Sequence, residues 1–267
     1  MNWFLQPAKT PSAHHREQAQ SRQQQLTKPS GSLGQLESLA ITLASLQHRE
    51  KPTIENVHIH IFAADHGIAA EQVSAFPQSV TAQMIQNFST GGAAIAVIAQ
   101  SLNADLAISN VGTVSELTEL DKVHNQRVAA GTANFAKQAA MNEAQLQQAL
   151  TIGQQTLQPQ QHLWLGGEMG ISNPTSATPL ACALLNIPAG DLVGPGTGID
   201  RQRQQHKTRV INQALAFHQA SQKSAIKNLQ NLGGFEIAAL VGGYISATQQ
   251  GRPALIDGNV CTVAARY

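Results

Sequence analysis

The sequence predicts an α/β fold, a mostly parallel β-sheet covered by helices on both faces. Three observations predict it. Apolar runs of strand length occur at 57–64, 104–109, 163–165 and 253–256. Segments of helical period separate them, and turn residues close each run. Two of the junctions are glycine-rich entries into helices, and the carboxyl ends of parallel strands are where such sheets bind ligands.

In chain order, residues 1–31 are polar and rich in glutamine, and the stretch from His14 to Gln25 reads as an exposed helix. A turn follows at Lys28-Pro29-Ser30-Gly31-Ser32, with Ser32 placed to cap the next helix. Leu33, Leu36, Leu39, Ala40 and Leu43 recur at helical spacing and predict one buried face. Lys28 beside this turn suits either a phosphate or a plain capped helix. In the strand VHIHIFAA, His58 and His60 alternate with Val57, Ile59 and Ile61. No carboxylate or cysteine set accompanies the two histidines, which favours satisfaction by neighbours over a metal. Asp65, at the end of that strand, is the better ligand-binding candidate.

Phe76-Pro77 is expected to start a helix in which Val80, Met84, Ile85 and Phe88 share a face. Met84 and Phe88 either belong to the core or wall an apolar slot, with Ser74 and Gln83 for polar contact. Thr90-Gly91-Gly92 interrupts the pattern before a second helix up to Leu102. An amphipathic helix is expected at 142–157, a short helix at 222–232, another after Gly233-Gly234, and one from Asn259 onward.

The chain is organised around residues 161–185, QHLWLGGEMGISNPTSATPLACALL. An apolar run leads into Gly166-Gly167, then Glu168 and Gly170. Ser172, Asn173, Thr175 and Ser176 open an Ala-rich helix. Glycine lets backbone approach a ligand, and free N–H groups at a helix start attract anions. An ordinary capped βα turn is the competing reading. The second glycine turn, Gly194-Pro195-Gly196-Thr197-Gly198, also precedes a helix, and Lys207 lies about two turns into it. A cation there either pairs with a phosphate or is simply exposed.

Composition narrows the function. The 267 residues suffice for one large domain or two modest ones, and 42% are apolar. A net charge of +1 with no basic stripe argues against nucleic acid. No run approaches the ~20 apolar residues of a membrane span, and the opening MNWFLQPAKTP lacks a signal-peptide pattern. A cytoplasmic protein is expected. Cys182 and Cys261, far apart in apolar surroundings, read as buried free thiols, with no zinc spacing and no metal expected.

Seven segments in order carry a resemblance: LTKPSGSLGQLE, FAADHGI, VSAFPQSVTAQMIQNF with GGAAIAV, GGEMGIS, LVGPGTGID, LGGFEIAAL and PALIDG. Together, from about Leu26 onward, they resemble the nicotinate-nucleotide–dimethylbenzimidazole phosphoribosyltransferase family. The resemblance implies a Rossmann-like domain, here 51–267, and a smaller helical domain to which 1–50 contributes. It also implies a homodimer and a reaction needing no cofactor. That reaction displaces nicotinate from nicotinate mononucleotide with a benzimidazole nitrogen, giving α-ribazole 5′-phosphate for the cobalamin nucleotide loop. By resemblance, Ser74, Phe76, Gln83 and Met84 contact the base. Gly167, Glu168, Gly170, Asn173 and Thr175 meet the nucleotide, with Glu168 nearest the reacting centre. Gly196, Thr197, Gly198 and Lys207 hold the ribose phosphate.

Two departures bear on activity. Pro174 interrupts the family's Gly-Asn-Thr-Thr-Ser pattern and removes a backbone N–H, although proline suits a helix's first turn. Family members also continue past the segment matching PALIDG, into a Gly-Glu-Gly turn whose glutamate is the family's proton acceptor. Two expectations follow: turnover with Glu168 as the substitute base, or a shortened paralogue that binds a nucleotide or aromatic base without turnover.

Overall fold

The computed structural model describes residues 3–196, 198 and 200–267. Its elements run α1 (Ala13–Gln25), α2 (Gln35–Gln47), β1 (Val57–Ala64), α3 (Ser79–Ser89), α4 (Ala94–Ser101), β2 (Asp105–Gly112), β3 (Val123–Asn125) and α5 (Glu143–Gln154). They continue with β4 (Leu163–Met169), α6 (Asn173–Leu185), α7 (Ala189–Leu192), α8 (Arg201–Phe217), α9 (Ala225–Leu232), α10 (Phe235–Gln250), β5 (Ala254–Leu255) and α11 (Asn259–Ala264). The five strands form one sheet in the order β3-β2-β1-β4-β5, and every pairing is parallel.

Alternation along β1 explains the two layers. Ile59, Ile61 and Ala63 face Ile85 and Phe88 of α3 and Ala96 and Ala99 of α4. Phe62 and Ala64 face the larger core, built from α5, α6, α9, α10 and α11. At its centre Trp164 meets Tyr244 edge to face at 5.2 Å. The helix α10 is apolar almost all round and buried through most of its length, as a helix inside a core must be. It lies so close to α5 that a methyl at Gly242 would overlap the Leu150 carbonyl.

Several elements differ from the sequence reading. Strand β4 continues through Gly167 and Glu168 to Met169, so Glu168 sits on the strand and not in a turn beyond it. Parallel pairing with β1 from Val57 to Ala63 holds Gly166 and Gly167 extended. Helix α3 starts at Ser79, after Phe76-Pro77. Gly34, not Ser32, is the N-cap residue of α2. The expected buried leucine face is open: Leu33, Leu36 and Leu39 are 51%, 63% and 47% exposed. Helix α2 buries only Ala44 and Ser45, where Ser45 exchanges hydrogen bonds of 2.9 and 3.0 Å with Ser12. Lys28 is tied to Glu37 at 2.7 Å, which supports the plain-cap reading.

Gly242→Ala should force α5 and α10 apart. Overpacking of this kind costs about 1–3 kcal/mol, so the urea midpoint should fall with an unchanged m value.

Candidate active site

In a sheet ordered 3-2-1-4-5, consecutive strands run outward in both directions from the boundary between β1 and β4. The crevice beyond their carboxyl ends is where such sheets bind ligands. Register places Phe62 opposite Glu168 and Ala63 opposite Met169. The two strands therefore deliver Asp65-His66 and Glu168-Met169-Gly170 to one spot. Gly170 is required there, because a β-carbon would lie 2.5 Å from the Ala64 carbonyl oxygen.

A cleft of about 280 Å³ opens at this spot. Its walls come from the β4–α6 turn, from Val73 and Ser74, and from Pro195, Gly196 and Lys207. Glu168 is half-buried in it and accepts a hydrogen bond from the Asn173 side chain at the start of α6. Burial pushes its pKa from an ordinary 4.5 up to about 7; the Asn173 bond opposes the rise, and nearby Glu236 adds to it. Ser172 adopts a left-handed conformation with φ 77°, and Pro174 occupies the first turn of α6. The buried hydroxyls of Ser172 and Thr175 have no hydrogen-bond partner among the described residues. Lys207 is only 3% exposed, and burial pushes its pKa down. Unpaired hydroxyls and a desolvated ammonium in one cleft suit an anionic, oxygen-rich ligand.

Below the cleft lies a network the sequence reading did not pick out. His66 donates to Glu236 at 2.7 Å, and its other ring nitrogen meets Ser176 at 2.8 Å. Both His66 and Glu236 are fully buried. A lone glutamate in the apolar run FEIAALVGG was the available signal, since a buried carboxylate needs a partner. Asp65 is also buried. Its carboxylate accepts the Val114 N–H at 2.8 Å, and burial raises its pKa although that bond opposes the rise.

The structure brings together Glu168, Gly170, Asn173, Thr175, Ser74, Gly196 and Lys207 around the cleft. Gly167 lies within the strand against Ile61. Phe76 and Gln83 are exposed and away from the cleft lining, and Met84 packs in the α3–α4 core. Gly198 is exposed, and Thr197 lies outside the described residues. Among the described residues no group of three or more His, Cys, Asp or Glu could hold a metal. His58 and His60 are satisfied within a chain: Asp105 to His58 at 2.6 Å, His58 to His60 at 3.2 Å, His60 to Ser109 at 2.9 Å. Both cysteines are free and buried.

A family model described as phosphoribosyltransferase matches residues 8–267. The nicotinate-nucleotide–dimethylbenzimidazole phosphoribosyltransferase of Pseudomonas fluorescens SBW25 is 54% identical over 267 residues, covering 98% of this chain and 76% of that protein. The chain belongs to the nicotinate-nucleotide–dimethylbenzimidazole phosphoribosyltransferase family. The similarly named protein of Ectopseudomonas mendocina is 50% identical, covering 99% and 77%. The crystal structure of CobT from Thermus thermophilus superposes with a TM-score of 0.89 at 37% identity, over 95% of this chain and 77% of that one. Family membership gives the cleft its context: a phosphoribosyltransferase needs a phosphate cradle beside a group that manages charge at the ribose.

Two outcomes are expected. A phosphate monoester at 100 times its Kd should raise unfolding stability by about 2.7 kcal/mol. Lys207→Met should lose most of that gain in a ligand-titrated thermal melt. Glu168 has a folded pKa above its unfolded one, so its contribution to stability falls as pH rises from 4.5 to about 7. Glu168→Gln should therefore be the more stable protein at pH 8, with the gap closing towards pH 4.5 in denaturant titrations.

Proposed function

We propose that the chain transfers ribose 5-phosphate from nicotinate mononucleotide to 5,6-dimethylbenzimidazole. The products are α-ribazole 5′-phosphate and nicotinate. The bond from C1′ to the pyridine nitrogen breaks, a benzimidazole nitrogen bonds to C1′ with inversion, and the ring N–H proton leaves to a base. The observation that carries this reading is Glu168, poised near neutrality in the same cleft as Lys207 and Gly196.

Lys207 and the Ser172 and Thr175 hydroxyls hold the 5′-phosphate, completing hydrogen bonds that the protein leaves open. Glu168 faces the ribose, where its negative charge stabilises the cation developing at C1′. Its pKa near 7 then suits acceptance of the benzimidazole proton. Asn173 fixes the carboxylate's orientation. Ser74 lines the same cleft and contacts the base on this reading; Phe76 precedes α3, whereas Gln83 and Met84 belong to that helix and reach the base only if α3 itself shifts. The same reading assigns residues 1–50 to a smaller helical domain and 51–267 to the catalytic one, and gives a cytoplasmic homodimer. The open leucines of α2 support the dimer. Among the described residues, no helix is long and apolar enough to cross a membrane.

Incubation with both substrates, followed by mass spectrometry, should detect α-ribazole 5′-phosphate and nicotinate in equal amounts. Binding of nicotinate mononucleotide without product would instead favour the non-catalytic paralogue. In an active sample, Glu168→Gln should lower kcat by about 10²–10⁴-fold. It should also abolish the acid limb of the kcat/KM profile, which the wild type should show near pH 7 because only the ionised carboxylate accepts a proton.

A further inference from the structure

The pair beneath the cleft is held on both sides of the imidazole, while the second carboxylate oxygen of Glu236 has no hydrogen-bond partner among the described residues. His66 follows β1, Glu236 lies in the first turn of α10 and Ser176 in the first turn of α6. Three elements of distant sequence thus converge on one imidazole. Its two ring nitrogens are occupied at 2.7 and 2.8 Å, and its carbonyl accepts from Gln78 at 2.9 Å. The ring also lies directly under the turn after Glu168, since a β-carbon on Gly170 would sit 3.1 Å from His66 Nε2.

We propose that Ser176, His66 and Glu236 form a positioning unit for Glu168, an internal ion pair that keeps a third charge from accumulating behind the reacting carboxylate and braces its turn. This rests on Glu168 as the proton acceptor proposed above. The groups facing His66 are Asp65 from the end of β1, Glu236 from α10 and Glu168 from β4. Those facing Glu168 are His66, Glu236 and Cys261 of α11. Burial opposes the imidazolium, yet the three carboxylates together hold its pKa above the usual value. With His66 charged, the pair is neutral overall. Nε2–H donates to Glu236 and Nδ1–H donates to Ser176. Removing the imidazole alone leaves Glu236 as an uncompensated negative charge near Glu168. Removing both charges restores neutrality.

That cancellation separates an electrostatic role from a merely structural one. The experiment is a ¹³C NMR titration of the full, ligand-free chain labelled at glutamate carboxyls, with the Glu168 signal assigned by its loss in Glu168→Gln. In His66→Gln the Glu168 midpoint should rise by about one pH unit. In the double variant His66→Gln/Glu236→Gln it should return close to the wild-type value. Ser176→Ala removes the acceptor for Nδ1–H and so disfavours the imidazolium form, weakening the ion pair without removing the ring. It should move the midpoint upward by less, and it serves if His66→Gln does not fold. Native circular dichroism with no shift in Ser176→Ala and His66→Gln, or a double variant displaced further than the single one, overturns the proposal. The titration needs no turnover. A chain that makes no product yet shows these shifts loses the proposed function and keeps the positioning unit. In a chain that turns over, the acid limb of kcat/KM should follow the NMR midpoint, with KM for nicotinate mononucleotide unchanged within about twofold.

Discussion

The ends of two adjacent parallel strands and one buried helix place three carboxylates and an imidazole within a single dry neighbourhood, and the management of that charge governs the site. Asp65, His66 and Glu236 are each at most 1% exposed. Burying an unpaired carboxylate costs several kcal/mol, so each acid here is answered differently. Asp65 takes a backbone N–H, Glu236 takes an imidazolium, and Glu168 takes an amide and stays near neutrality. Only Glu168 opens to the cleft. The acid that a substrate can reach is the one whose carboxylate meets the Asn173 amide.

The sheet order makes this arrangement possible. With β1 and β4 adjacent and in register, a strand-end residue of one lies beside a strand-end residue of the other. Antiparallel neighbours would send the two ends to opposite edges of the sheet. Helix α10 is buried through most of its length and the His66 and Glu236 side chains are fully buried, so little water screens the pair. Water exclusion and charge pairing are therefore one design problem, solved by the same helix that supplies Glu236.

Much of this was legible before any coordinates. Strand β1 matches its apolar run residue for residue, and of the two glycine-rich stretches Gly170 and Gly196 do line the cleft, where ligand approach needs small residues. Local pattern failed where the deciding contact is remote. Nothing near His66 announces Glu236, which is 170 residues away. Lys207 carries no local sign that it will be buried. The leucine face of α2 shows the opposite failure. Periodicity reports that a face is apolar, and says nothing about which element lies against it. For His58 and His60 the missing ligand set was the better guide: satisfaction by neighbours was expected, and Asp105 and Ser109 of the neighbouring strand do occupy their ring nitrogens.

The cleft remains incomplete in a way that points to its ligand. Folding normally satisfies buried polar atoms, but here the hydroxyls of Ser172 and Thr175 lack partners among the described residues and Lys207 is desolvated. These residues line the same cleft as Glu168. A phosphate would accept hydrogen bonds from the hydroxyls and oppose the fall that burial causes in the lysine's pKa. The same anion would raise the proton affinity of Glu168 further if it came too close, because like charges oppose ionisation. A ribose between the two resolves the conflict by keeping them apart. On the proposed reading, a sugar phosphate, with its phosphate and its anomeric carbon at opposite ends, meets that requirement where a free phosphate ion does not.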